Sequence, residues 1–283
     1  MKVGLALRGG QFPPALVGRI ASRLNDWRFS SIWFNDSPGV LDISGFILGS
    51  SRKTKAATGI LRIAEYDIKV LAGRVAALNQ ASGNRFILGV GTGQSTGESA
   101  IKQLVDNTEK FRAEYPDKET SPAVYFSALR SKMTRAAFEH ADGVLLNFAP
   151  AAFIEKVIPK DVEPRKGFQV AGYVKLFFSK SDEQAKKMLI DEFAAYNSRG
   201  HYHNMFVAMG LDKLIDEAKA NPGKALPEEL LESSLYNPSM KEVARLFGRM
   251  AKAGMDLPVV SLYAEGEPAY KLQVVRQLAS MAT

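Results

Sequence analysis

The chain has no cysteine, and it holds only three histidines and two tryptophans in 283 residues. Without a thiol there are no disulfides, thiolate nucleophiles, thiolate zinc sites or cysteine-ligated clusters, a usage that fits any compartment. His140 falls in a predicted helix. His201 and His203, spaced i, i+2, would splay apart on a helix, so no metal site is expected. No apolar run approaches the ~18 residues of a membrane span. The start, Met1-Lys2-Val3-Gly4-Leu5-Ala6-Leu7, runs into Arg8 before it reaches signal-peptide length, so a cytoplasmic protein with no membrane partner is expected. Excess charge is also modest. The net +7 comes from basic residues scattered among acidic ones, as in Lys180-Ser181-Asp182-Glu183, which reads as a solvated mixed surface and not as a nucleic-acid interface.

What the chain does have is apolar content, 46% of residues, enough for one barrel-sized core or two small ones. Its most informative stretch is Arg85-Phe86-Ile87-Leu88-Gly89-Val90-Gly91-Thr92-Gly93. Phe86 to Val90 reads as a strand buried on both faces. The alternate glycines that follow fit either a loop whose amides approach a phosphate or a tight strand-to-helix turn with no ligand. The spacing lacks the later glycine of a dinucleotide fingerprint and the Lys-Ser/Thr of a P-loop.

The rest of the chain repeats the same unit. Strands are predicted at Lys2 to Leu7, Ser30 to Phe34, Thr58 to Leu61, Phe86 to Val90, Ala123 to Phe126, Gly143 to Leu146, Val170 to Phe178 and Pro258 to Leu262. Helical stretches follow them: Pro14 to about Trp27, Leu41 to Ser51, Ile68 to Leu78, a helix from the capping-box pattern Ser95-Thr96-Gly97-Glu98 through Phe111, Ser131 to His140, Ala151 to Val157, Asp182 to Ala195 and Glu267 to Met281. Eight strand-helix units predict an α/β fold, a single (β/α)₈ TIM barrel over 1–283, with a doubly wound open sheet as the alternative. The stretch from about Tyr196 to Asp256 is predicted to be a helical insertion between strands seven and eight. Such a barrel would gather Gly9, Gln11, Asn35, Asp36, Leu61, Arg62, Gly91 to Gln94, Leu129 to Lys132 and Asn147 at one mouth.

Two blocks then resemble the luciferase-like monooxygenase superfamily, especially its deazaflavin-dependent branch, which includes methylenetetrahydromethanopterin reductase. They are Asn84 to Gly93, and Val124-Tyr125-Phe126-Ser127-Ala128-Leu129-Arg130-Ser131-Lys132-Met133 with Ala141-Asp142-Gly143-Val144-Leu145-Leu146-Asn147. Ser31-Ile32-Trp33-Phe34-Asn35-Asp36 and Thr58-Gly59-Ile60 add support. Weaker similarity reaches Ala253 to Val260, and the insertion is poorly covered. The resemblance implies a flavin-like ring bound at the barrel mouth, a non-proline cis peptide between Gly59 and Ile60 pressing on that ring, and Asp36 near its reactive edge as the catalytic carboxylate, the one acid or base that it names. It also implies cofactor contacts from Gly91, Thr92 and Gly93 and from Leu129, Lys132 and Met133. Lys132 fits both an anion contact and a solvated first-turn lysine.

Three departures from the family pattern stand out. Ser37 replaces a histidine that helps catalysis in several relatives. Gln94 replaces the glutamate found after Gly-Thr-Gly in the glucose-6-phosphate dehydrogenases of this branch, so that substrate is not expected. Gln94 to Ser121 is too short for the lid of larger relatives. The expectation is an oxidoreductase moving a hydride between coenzyme F-420 and a small-molecule substrate, working as a homodimer. The alternatives are an FMN-dependent monooxygenase and a non-catalytic flavin- or deazaflavin-binding protein.

Overall fold

A computed structural model describes residues 2–8, 10–93, 95–115 and 120–282. The strands are β1 (Gly4–Leu7), β2 (Ser31–Phe34), β3 (Lys55–Thr58), β4 (Leu61–Arg62), β5 (Phe86–Gly91), β6 (Ala123–Ala128), β7 (Gly143–Asn147), β8 (Gln169–Phe178), β9 (Ser234–Tyr236) and β10 (Leu257–Ala264). The ring β10-β1-β2-β3-β5-β6-β7-β8 is parallel throughout, and β10 pairs with β8 to close it. This is the eight-stranded TIM barrel expected from the repeat.

The helices before the seventh barrel strand are α1 (Pro14–Ala21), α2 (Leu24–Trp27), α3 (Val40–Ser50), α4 (Ile68–Ala81), α5 (Gly97–Ala113), α6 (Ser131–His140) and α7 (Ala151–Val157). Those after it are α8 (Asp182–Asn197), α9 (Gly200–Met209), α10 (Asp212–Ala220), α11 (Glu228–Leu231), α12 (Met240–Lys252) and α13 (Pro268–Ala279). Local chemistry sets their ends. Ser239 and Glu242 form a reciprocal capping box at the start of α12, whose buried Val243, Leu246, Phe247 and Met250 recur at helical spacing against the barrel.

Three local expectations shift. The third strand ends at Thr58 instead of beginning there, because its weakly apolar Ala56 and Ala57 are the buried strand residues, while Gly59 and Ile60 form a bulge and Leu61 begins β4. No capping box forms at Ser95. The helix starts one residue later with Thr96 as its N-cap, so Glu98 is in the second helical position and out of register for the motif. The first predicted helix is broken, with α1 ending at Ala21 and α2 beginning at Leu24.

Side chains of alternate strand residues fill the lumen. Ala6, Trp33, Ala57, Ile87, Tyr125, Leu145, Ala171 and Val259, one from each barrel strand, form a single buried cluster that mixes alanines with two large rings. Trp33 and Tyr125 meet with ring centroids 5.9 Å apart, and the Tyr125 hydroxyl donates to Gln169 Oε1 at 2.6 Å. The axis is plugged at this level. Two and four residues further along the same faces stand Gly59, Ser127, Asn147, Tyr173, Lys175 and Tyr263, so these belong to the C-terminal mouth.

Strand β8 outruns its neighbour. It pairs with β7 from Gln169 to Tyr173, and beyond that its free edge takes β9 at Lys175 to Phe177. The chain between β8 and β10 therefore contains a short strand as well as helices, and it returns α8 and α9 across the mouth.

Candidate active site at the barrel mouth

The site begins where β3 ends. The peptide between Gly59 and Ile60 is cis, and the bulge it forms packs against β5. Thr58 Oγ1 donates to the Gly89 carbonyl at 2.8 Å. A Cβ on Gly89 would overlap the Thr58 carbonyl, and one on Gly91 would overlap Ser127 Oγ and Ile60. These two glycines serve the fit between bulge and strand, which neither a phosphate loop nor a bare turn accounts for. Gly59 is held from the opposite side, where the Tyr173 hydroxyl donates to its carbonyl at 3.1 Å and occupies the place of a Cβ. Gly93 has φ +63°, a backbone that favours glycine, and the Arg62 stem lies against it.

Beyond the bulge opens a cleft of about 610 Å³, a size suited to a cofactor-sized molecule. One wall is Thr92, Gly93 and the start of α5, and a second is Leu129 to Met133 at the start of α6. Neither Thr96 nor Arg130, the N-caps of those helices, makes a side-chain capping bond, so among the described residues both first turns present backbone amides without a side-chain acceptor. The third wall is aromatic and polar: Asn147, Tyr173, Tyr196, His201 and Tyr202. Asn147 Nδ2 donates to the Tyr202 hydroxyl at 2.9 Å, joining β7 to α9. On the rim Lys132 Nζ donates to Glu98 Oε1 at 2.7 Å, with both side chains largely exposed, and this pairing holds the Glu98 carboxyl below its usual range.

Of the residues singled out from sequence, Gly59, Ile60, Thr92, Gly93, Leu129, Lys132 and Met133 line this cleft, and Gly91 lies behind Ser127 and Ile60, which do. Asp36 is at the same mouth but faces an adjoining hollow with Ser37 and Arg62. One carboxylate oxygen accepts from Arg62 Nε at 3.0 Å and the other from the Tyr66 hydroxyl at 3.1 Å. Arg62 thus links Asp36 to the Gly93 turn. Gly9 and Gln94 lie outside the described residues. Among those described, no group of three or more His, Asp or Glu side chains could hold a metal.

Behind the aromatic wall sits a buried charge cluster. Lys175 Nζ donates to Glu192 Oε1 and to the Tyr263 hydroxyl, at 3.0 Å each, and lies 4.2 Å from the centre of the Phe148 ring and 4.8 Å from that of Tyr196. Arg8 Nη1 reaches both Glu192 oxygens, at 3.0 and 3.2 Å, and the Tyr263 hydroxyl. Burial lowers Lys175 to about 8 despite the attraction of Glu192. Burial pushes Glu192 upward, but Lys175, Arg8 and Tyr263 outweigh it and hold the carboxyl below its ordinary value.

Sequence reasoning missed Tyr173, Tyr196, His201 and Tyr202 as cleft residues, along with this cluster. One signal was present: Lys175 interrupts the apolar run of β8, and a lysine buried inside a strand needs a partner.

A closed parallel barrel with one cleft at its C-terminal mouth is a scaffold of small-molecule enzymes. The chain belongs to the luciferase-like monooxygenase family, whose profile matches residues 99–257, more than half of its length. The fold is similar to that of a coenzyme F-420-dependent secondary alcohol dehydrogenase, solved with an F-420-acetone adduct (TM-score 0.73, 14% identity, 100% of both chains). It is also similar to the F-420-dependent tetrahydromethanopterin reductase of Methanopyrus kandleri (TM-score 0.68, 15% identity, 98% of this chain and 97% of the other). A third similar structure is the oxygenating constituent of 3,6-diketocamphane monooxygenase of Pseudomonas putida with FMN (TM-score 0.63, 14% identity, 100% and 97%). At such identities the likeness is one of fold. No curated protein matches the chain in sequence.

Proposed function

We propose that the chain is an oxidoreductase that binds coenzyme F-420 in the mouth cleft and exchanges hydride with a small substrate held against the aromatic wall. The observation that carries this reading is the cleft itself, which combines an apolar floor at Ile60, Leu129 and Met133 with two helix starts lacking side-chain caps. That donor set fits a flat ring carrying an anionic tail: the ring on Ile60 and the Gly59 bulge, the anion toward the amides at Gly97 and Ser131 with Lys132 beside them. A deazaflavin supplies two-electron hydride chemistry, and the protein supplies position and electrostatics. In this reading Asp36 acts from its hollow through Arg62, which it holds against the Gly93 turn. The homodimer and the cytoplasmic setting expected from sequence belong to the same proposal, and sedimentation of the purified chain tests the former.

Oxidised F-420 and FMN, added separately to purified protein and followed by fluorescence, test the cofactor. F-420 is expected to bind more tightly, and a panel of secondary alcohols is expected to reduce it without oxygen uptake. Tight FMN binding with no deazaflavin binding would replace this reading with a monooxygenase. Tight binding without turnover across the panel would favour a binding protein.

A further inference from the structure

We infer that His201 is the acid-base residue of the cleft: its imidazole hydrogen-bonds an oxygen of the small molecule bound there and exchanges a proton with it. This rests on the oxidoreductase reading above. It comes from asking which group lining the cleft can change protonation near neutrality. Glu98 and Lys132 are tied to each other on the rim. The Tyr173 hydroxyl is spent on the Gly59 carbonyl and the Tyr202 hydroxyl accepts from Asn147, and burial raises the pKa of both, as it does for Tyr196. Arg130 keeps its charge at any physiological pH. Asp36 stands in the neighbouring hollow with both oxygens engaged. His201 remains.

Its surroundings keep it neutral and ready. It is the second residue of α9, where the helix end disfavours a cation. Tyr202 lies beside it, ring centroids 4.8 Å apart. The charged groups facing it are Arg199, just before α9, and Arg130, at the start of α6. Burial first, then these two cations, lower its pKa from 6.5. A neutral imidazole offers one donor and one acceptor nitrogen. When a hydroxyl-bearing substrate gives up its C–H hydride to the oxidised deazaflavin of the reading above, its O–H bond breaks as an N–H bond forms on the acceptor nitrogen. In the reverse direction that N–H returns the proton to the oxygen. His203 does not share this place, since its Nδ1 is 3.0 Å from Asn197 Oδ1 on an exposed face.

Three histidines make the test direct. The imidazoles of the full-length ¹⁵N-labelled chain are titrated by NMR, free and with saturating oxidised F-420 or FMN, and H201Q assigns the resonance. Free His201 is expected to titrate below 6.5, and the bound probe is expected to shift its midpoint. The probe's Kd should then depend more steeply on pH in the wild type than in H201Q, by several-fold between about pH 5.5 and 7.5, as linkage requires. A His201 that titrates at or above 6.5, is unmoved by a bound probe, or leaves the Kd profile identical in H201Q overturns the inference alone. Binding of neither probe overturns the oxidoreductase reading and this inference together.

Discussion

Lys175 Nζ lies 3.0 Å from Glu192 Oε1, joining the seventh barrel strand to the helix that turns back over the mouth. Arg8, from the end of β1, donates to the same oxygen. Two cations therefore share one carboxylate, and the two sides of the pair are not equivalent. Removing Lys175 leaves Arg8 and Glu192 balanced, whereas removing the carboxylate charge leaves the buried Lys175 beside the partly exposed Arg8 without their counter-charge.

E192Q should therefore destabilise by about 3–5 kcal/mol, the cost of uncompensated buried charge. K175M should cost no more than about 1–2 kcal/mol, because an apolar chain suits the rings of Phe148 and Tyr196. Urea unfolding of the two variants measures the difference, and equal losses would mean that Arg8 does not neutralise Glu192.

Stability should also rise with pH over a defined window. Lys175 falls from 10.5 to about 8 in the fold. Between those values the unfolded chain holds a proton that the folded chain has lost, so raising the pH favours folding. Below the window the lysine is charged in both states and the cost of burying it is fully present. Tyr263 acts in the opposite sense above its ordinary 10.0, because burial keeps its phenol protonated in the fold while the unfolded chain ionises. Urea midpoints of the wild type should climb from about pH 8 to about 10 and then fall, and K175M should flatten the climb.

G59A tests the bulge. A methyl group there overlaps the Tyr173 hydroxyl and comes near the Trp33 ring. Overpacking of this kind costs about 1–3 kcal/mol. Cofactor affinity should drop with it. Y173F removes the hydroxyl, so G59A/Y173F should recover part of both losses, read by thermal unfolding and by fluorescence titration.

Lys132 and Glu98 on the rim give a test with opposite signs. K132A should weaken an anionic cofactor several-fold and reduce the salt dependence of its binding. E98Q, which releases Lys132 from its partner, should tighten it. Kd measured at two salt concentrations for each variant separates this role from a purely solvated lysine, which would leave Kd unchanged in both.

Much of this architecture was legible in the sequence because strands buried on both faces read as short apolar runs and surface helices repeat at their own period. The bounds of α6 and α7 coincide with those read from composition. β3 was harder, since its buried residues are the alanines Ala56 and Ala57, which carry little strand signal. The Gly91 to Gly93 turn was recognisable because close backbone approach leaves glycine as its trace, whereas Gly59 and Ile60 were read from the resemblance to the luciferase-like family. Tyr196, His201 and Tyr202 were not. Nothing local says that α9 folds back over β7, since that contact is set by the length of β8 and the tertiary packing of α8.

The ring of Trp33 and the ring of Tyr125, wedged among alanines, have a kinetic corollary. With the far end of the barrel stoppered, traffic has a single doorway. On the proposed reading, the molecule that settles deepest, against Gly59, would arrive before its co-reactant and depart after it, so steady-state kinetics should show a compulsory order.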